Sequence, residues 1–200
     1  MKNKKAEVYD ILIDLSKDLA KHKLGALFVI AENSKLNKDL YESLYPQIIT
    51  DHTIFEKGAK TLIMKLAELD GAFLISNEGR IIAFGARIKK SKALPGYGTK
   101  HAAAAGITSH IKDSLAVLVS EESNWIKVFK NGKIVLEMDS SKTPPSLKHK
   151  VIAFLTDNDT ALLATAGASA AIMGVIPIVV VSGAYLAIKT ASGIIKKNFK

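Results

Sequence analysis

The chain has 200 residues, 48% of them hydrophobic, which suits one compact domain with appendages. Lys and Arg outnumber Asp and Glu by 28 to 19, and the net charge of +9 with a pI near 9.5 points to an anionic partner: a phosphorylated small molecule, a nucleic acid or an anionic membrane surface. The absence of cysteine excludes disulfides, thiol catalysis and cysteine-ligated metal sites, and the five histidines form no HExxH or other close pair of metal ligands.

In chain order, residues 1–22 read as an amphipathic helix, because Val8, Ile11, Leu12, Leu15 and Leu19 recur at helical spacing among lysines and aspartates. This segment is too charged for a secretory signal. "GALFVIA" (25–31) is a short apolar run of the kind buried on both faces of a sheet. Residues 53–69 return to helical spacing through Ile54, Leu62, Ile63, Leu66 and Leu69. "DGAFLIS" and "RIIAFGARI" flank an "NEG" turn and predict a hairpin, as do "SLAVLVS", "WIKVFK" and "KIVLEM" with Asn131–Gly132 between the last two. The fold class is therefore α/β in the broad α+β sense, with a mixed central sheet flanked by helices over residues 23–139. Residues 140–160, opening with "SSKTPPS", have linker composition.

Residues 161–188 carry no charge, and the chain then ends in a basic tail, 189–200. A helix crosses a bilayer with roughly 20 apolar residues, so this hydrophobic helical segment is long enough to be transmembrane. Its many Ala, Gly and Ser residues and Pro177 leave a buried, broken helix pair as the alternative. Lysines on both sides leave its orientation open.

Three short stretches concentrate chemistry-bearing residues near strand ends. "DGA" (70–72) places the carboxylate of Asp70 beside a glycine. "GYGTKHAAAAGIT" (96–108) places Thr99, Lys100 and His101 at the start of an alanine-rich helix, where unpaired backbone N–H groups favour an anion. It lacks the GxxxxGK[ST] spacing of a P-loop. "VSEESN" (119–124) ends a strand with Ser120, Glu121 and Glu122, and paired carboxylates there suit Mg²⁺ or Mn²⁺ near phosphates. Taken singly, each reads as well as a turn, a capped helix or a solvated acidic loop.

In this order and at these separations, "DGA", "GTKHAAAAGIT" and "DSLAVLVSEESNWIKVFKNGKI" resemble the motifs of the diadenylate cyclase (DAC) domain family, over about the middle 115 residues. The resemblance implies an enzyme that condenses two ATP into cyclic di-AMP and pyrophosphate with Mn²⁺ or Mg²⁺, as a homodimer or higher oligomer whose active sites meet face to face. It assigns Asp70 to the attacking 3′-hydroxyl and to the metal, and Gly71 and Ala72 to close approach of the nucleotide. Ile88 falls to the adenine pocket, Thr99, Lys100 and His101 to the triphosphate, and Ser120 and Glu121 to the far end of the triphosphate, with Glu121 also on the metal. Two departures stand out. Where the family has Arg-His-Arg this chain has Lys100, His101 and Ala102, and the residue before the DGA aspartate is Leu69 where the family often has histidine. Lysine keeps the charge but loses the planar bidentate fork of arginine.

Three functions remain open at this level: a cyclase tethered to the cell membrane with its catalytic domain in the cytoplasm, or wholly cytoplasmic; an ATP- or cyclic-dinucleotide-binding sensor of the same fold without turnover; and a nucleic-acid-binding module. The third has least support, since the lysines are dispersed and the single tryptophan offers no stacking platform, so no nucleic acid is expected as partner.

Overall fold

The computed structural model describes residues 4–122, 124–141, 145–156 and 178–180. A mixed sheet occupies the centre. Its strands are β1 (Ala26–Ala31), β2 (Tyr41–Ser43), β3 (Ala72–Ser76), β4 (Ile81–Ile88), β5 (Leu115–Val119), β6 (Trp125–Lys130), β7 (Lys133–Asp139) and β8 (Ile178–Val180). Among the described residues their order is β2-β4-β3-β1-β5-β6-β7-β8. Only β1 and β3 run parallel; every other pairing is antiparallel.

The central strand explains why both faces are covered. All six residues of β1 are buried, and successive side chains leave on opposite sides. Ala26, Phe28 and Ile30 join one apolar cluster, while Leu27, Val29 and Ala31 join the other. The first cluster packs beneath α1 (Lys4–Lys21), α2 (Ala59–Leu66) and α4 (Pro145–Thr156), with Phe28 and Phe73 ring centroids 5.6 Å apart. The second lies under α3 (Thr99–His110), whose Ala104, Ala105 and Ile107 are fully buried. Alanines let this helix approach the sheet closely. The crossing loop that follows β4 comes closer still, because Gly106 leaves room for the backbone of Lys90 and Ser91.

The N-terminal helix packs one apolar face as its spacing predicts, with Val8, Leu12, Leu15 and Leu19 in the main core. Three expectations need correction. The helix read over 53–69 is confined to Ala59–Leu66: Thr53 pairs instead with Arg80 in an isolated bridge, the Glu56 carboxylate accepts the Thr53 N–H at 2.7 Å, and Gly58 turns left-handed before the helix begins. The segment 140–160, read as linker, contains α4. Proline suits the first helical position, and Val151 and Leu155, four residues apart, bury against the core. Finally, 161–188 is not one continuous helix, because Ile178–Val180 pair as a strand with β7. The remainder of that segment lies outside the described residues, among which no helix is long and apolar enough to cross a membrane.

α4 is pinned to α1 by charge as well as by packing. The Lys148 ammonium donates to Asp14 Oδ2 at 2.6 Å and contacts Asp10 Oδ1 at 2.8 Å. Burial alone would push its pKa down, but hydrogen bonds to the two carboxylates outweigh it and push the pKa up. That contribution is therefore complete below the ordinary lysine range and is lost only as pH rises above it. Lys148→Met leaves the two aspartates facing each other without a cation, and urea unfolding is expected to show a loss of about 1 kcal/mol.

Candidate functional site

The site lies where the start of β3, the end of β4 and the N-terminus of α3 converge. A cleft of about 390 Å³ is lined there by Asp70, Gly71, Ala72, Ile88, Thr99 and Lys100, together with Leu27, Leu44, Ala86, Arg87, Ser91, Ala102 and Ala103. This size is within the usual range for small-molecule sites, roughly 300–1,000 Å³. A second cavity of about 440 Å³ shares Asp70 and Lys100 with the first and is bordered by Lys23, Gly25, Leu69 and Glu121. Asp70 and Lys100 thus stand at the junction of an apolar chamber and a polar one.

Each of these side chains is placed by local structure. Asp70 sits in the turn before β3, where its Oδ1 accepts the Gly71 N–H at 2.9 Å. Gly71 has φ +104°, and a Cβ there would lie 2.5 Å from the carbonyl carbon of Gly85 and 2.6 Å from the amide of Ala86. The glycine is therefore required for β3 to enter beside β4, whatever the cleft binds. On the opposite wall α3 begins after Gly98, which is extended and contributes no side-chain cap, and the first turn carries no acidic residue. Unpaired amides at a helix start, with Lys100 beside them, favour an anion. The Lys100 ammonium is paired with Glu121, which reaches across from the end of β5 and lies over Gly25. Arg87, the second cation of the apolar cleft, is likewise paired, with Glu42 directly opposite it on β2.

Of the residues singled out from sequence, Asp70, Gly71, Ala72, Ile88, Thr99, Lys100 and Glu121 border these two joined cavities. Ser120 borders neither; its N–H donates to the Trp125 carbonyl at 3.1 Å and closes the β5–β6 turn. His101 also borders neither. Its ring packs on Tyr97 at 4.6 Å with a tilt of 35° and meets Phe129 edge-on at 6.0 Å, and its Nε2 is buried without a hydrogen-bond partner. Burial, and secondarily the nearby charge of Lys127, push its pKa down to about 4. At neutral pH His101 is uncharged, and its ring packs with Tyr97 and Phe129 instead of lining the cleft.

A histidine held neutral by the fold makes stability depend on pH. The unfolded chain protonates His101 near its ordinary pKa of about 6.5, whereas the folded chain resists until about 4. The stabilisation is complete above the unfolded pKa and is lost as pH falls through that window. The difference in melting temperature between wild type and His101→Leu should therefore narrow from pH 7 to pH 4; a difference independent of pH would contradict the assignment.

Sequence reasoning missed Arg87, Ser91, Leu44, Leu27 and, in the second cavity, Lys23 and Gly25. Arg87 carried a signal, being the one charge within the otherwise apolar β4 "IIAFGARI". Leu44 and Ser91 carried none, because only the tertiary path of their loops brings them to the cleft.

Comparison with known proteins agrees with this geometry. Residues 14–134, more than half of the chain, match the DAC family model described as DisA bacterial checkpoint controller nucleotide-binding. The chain is 35% identical over 122 residues to a diadenylate cyclase of Methanocaldococcus jannaschii, covering 58% of this chain and 38% of that protein. It is 30% identical over 139 residues to a diadenylate cyclase of Haloferax volcanii (66% and 51%) and 33% identical over 132 residues to the cyclic di-AMP synthase CdaA of Bacillus subtilis (60% and 43%). The matched part thus spans about half or less of these relatives' length. Among solved structures, a hypothetical membrane spanning protein from Bacillus cereus superposes with a TM-score of 0.50 at 25% identity, over 62% of this chain and 60% of that one. DacA from Staphylococcus aureus gives 0.53 at 22% identity over 76% and 97%, a likeness of fold. With the family's motifs lining the cleft and its model matched across the central sheet, the chain belongs to the diadenylate cyclase (DAC) domain family.

Proposed function

We propose that this protein is a diadenylate cyclase, joining two ATP molecules into cyclic di-AMP with release of two pyrophosphates. The observation that carries the reading is the meeting of Asp70 with the uncapped, acid-free N-terminus of α3 and Lys100 around one apolar cleft. The apolar walls from Leu27, Ala72, Ala86 and Ile88 suit a nucleobase, and the helix start with Thr99 and Lys100 suits a polyphosphate.

In this reading the first-turn amides of α3, the Thr99 hydroxyl and the Lys100 ammonium hold the triphosphate and stabilise the negative charge that builds on the departing pyrophosphate. The phosphate displaces Glu121 from Lys100. Asp70 orients the 3′-hydroxyl and accepts its proton as the new phosphoester bond forms at the α-phosphorus. Each half-reaction makes one P–O bond and breaks one, and the second half-reaction closes the ring. Since the cleft accommodates one nucleotide, two copies of the chain face each other and each supplies one ATP. The residues also fit a divalent ion: among the described residues no three His, Asp or Glu cluster into a metal cage, yet Asp70 and Glu121 border the same cavity. Two carboxylates plus substrate oxygens are a donor set that Mg²⁺ or Mn²⁺ accepts. When bound there, the ion supplies charge neutralisation at the phosphates and a more acidic 3′-hydroxyl.

ATP use implies a cytoplasmic site, and with Ile178–Val180 paired to β7, attachment to the cell membrane would fall to the rest of the uncharged segment 161–188. The departure at Lys100 defines a direct test of the triphosphate role. Lys100→Met should raise the KM for ATP about tenfold or more, as expected for loss of a charge-assisted contact, while Lys100→Arg should retain or improve it. The reaction itself is tested with 3′-deoxy-ATP, which should bind competitively and yield no cyclic product. ATP hydrolysed to ADP or AMP, or bound without conversion as in a sensor, would overturn the cyclase reading.

A further inference from the structure

The turn that presents Thr99 and Lys100 is held by the Tyr97 N–H, which donates to the Leu94 carbonyl at 3.1 Å, and by the Tyr97 side chain. Residues Gly96, Tyr97 and Gly98 lead into α3, and around the positions a Cβ would take on Gly96 and Gly98 there is open space to 4 Å. Neither glycine has a side chain with which to touch the body of the protein. Tyr97 lies between them. It remains 42% exposed, so core burial is not what holds it. It is instead the third member of a group that rises from β6: Phe129 meets His101 edge-on at 6.0 Å, the His101 ring packs on Tyr97 at 4.6 Å with a tilt of 35°, and the Lys127 ammonium lies over the Tyr97 ring at 4.4 Å. Lys127 is itself held from β7 by Glu137 at 3.5 Å.

We infer that Tyr97, held by contacts with His101 and Lys127, is a positioning residue that fixes the N-terminal turn of α3 for polyphosphate binding. The inference rests on the proposed function of that turn. Two glycines give the turn wide backbone freedom, and a ring held by an aromatic contact and a cation–π contact restricts it. A neutral His101 completes the arrangement, because an imidazolium beside Lys127 would repel it. Tyr97 and Lys127 border neither cavity, so they act through the backbone rather than on the ligand.

The test uses the full chain and the variants Tyr97→Ala, Tyr97→Phe and Lys127→Met, with two readouts. The first is amide hydrogen exchange of His101 and Ala102, whose N–H groups both donate to the Gly98 carbonyl at 3.1 Å; it needs no ligand. The second is binding of inorganic tripolyphosphate. Tyr97→Ala should speed the exchange and weaken tripolyphosphate by about tenfold each, and global unfolding in urea, measured alongside, separates this local loosening from a loss of overall stability. Tyr97→Phe should behave as wild type, and Lys127→Met should fall between. Unchanged exchange in Tyr97→Ala, or a Tyr97→Phe as damaged as the alanine variant, would overturn the anchor. Fast exchange in Tyr97→Ala while tripolyphosphate binds equally to both proteins would overturn the link to phosphate binding. Failure of the cyclase reading shows separately, as a wild type that makes no cyclic di-AMP with its exchange pattern as expected.

Discussion

Asp70→Asn should lower the rate of cyclic di-AMP formation about 10²- to 10⁴-fold, the usual range for removing a positioned proton acceptor, with little change in fold or ATP affinity. The substitution is chosen because the local structure tolerates it. The Asp70 Oδ1 accepts the Gly71 N–H, and an asparagine carbonyl oxygen can take the same bond, so the turn into β3 keeps its geometry. What disappears is the negative charge between the two cavities, and with it the acceptor for the 3′-hydroxyl proton and one of the two carboxylates that would hold a divalent ion. Single-turnover rates and an ATP binding isotherm, measured on the same preparation, separate the two effects. A variant that binds ATP as wild type and turns it over at the wild-type rate would remove Asp70 from the chemistry.

The second large effect falls on a glycine in the middle of α3. Gly106→Ala should destabilise the protein by about 1–3 kcal/mol, the usual cost of overpacking, and should raise the KM for ATP. A Cβ at this position would press on the Lys90 carbonyl oxygen and lie 2.5 Å from the Ser91 Cα and 2.7 Å from the Lys90 carbonyl carbon. These are backbone atoms of the crossing loop, so no rotamer change relieves them. The loop must lift from α3, and it carries Ser91, part of the cleft wall. It is also tied to the helix start through the Lys92 N–H, which donates to the Ala102 carbonyl at 2.9 Å. Equilibrium urea unfolding with an unchanged m-value would register the stability loss, and steady-state kinetics the effect on KM. A variant as stable as wild type would mean that the loop does not lie on α3 as described.

The strands were readable because their signals are local. "GALFVIA" is uniformly apolar since both faces of β1 are covered, and the two hairpins carry their turn residues between alternating runs. The cleft was readable in part for the same reason: Asp70, Thr99 and Lys100 sit at element ends, where motif and structure coincide. α4 was not, because its opening prolines and lysines have the composition of a linker and its stability comes from docking Val151 and Leu155 under α1 and pairing Lys148 with Asp10 and Asp14. β2 escaped notice because three residues on a sheet edge have no periodicity. The charge state of His101 is not legible from its motif, because the surroundings that decide it, Tyr97, Lys127 and Phe129, include two residues on a strand nearly thirty positions away.

The central claim is that this cleft condenses ATP with ATP. The measurement that tests it most directly is a mass balance: the full chain with ATP and Mn²⁺ or Mg²⁺, its nucleotides quantified by chromatography and mass spectrometry at several protein concentrations. Two ATP should disappear and two pyrophosphates appear for every cyclic di-AMP, and activity per subunit should rise with protein concentration as copies meet. ATP that is bound but recovered intact at every concentration would contradict it.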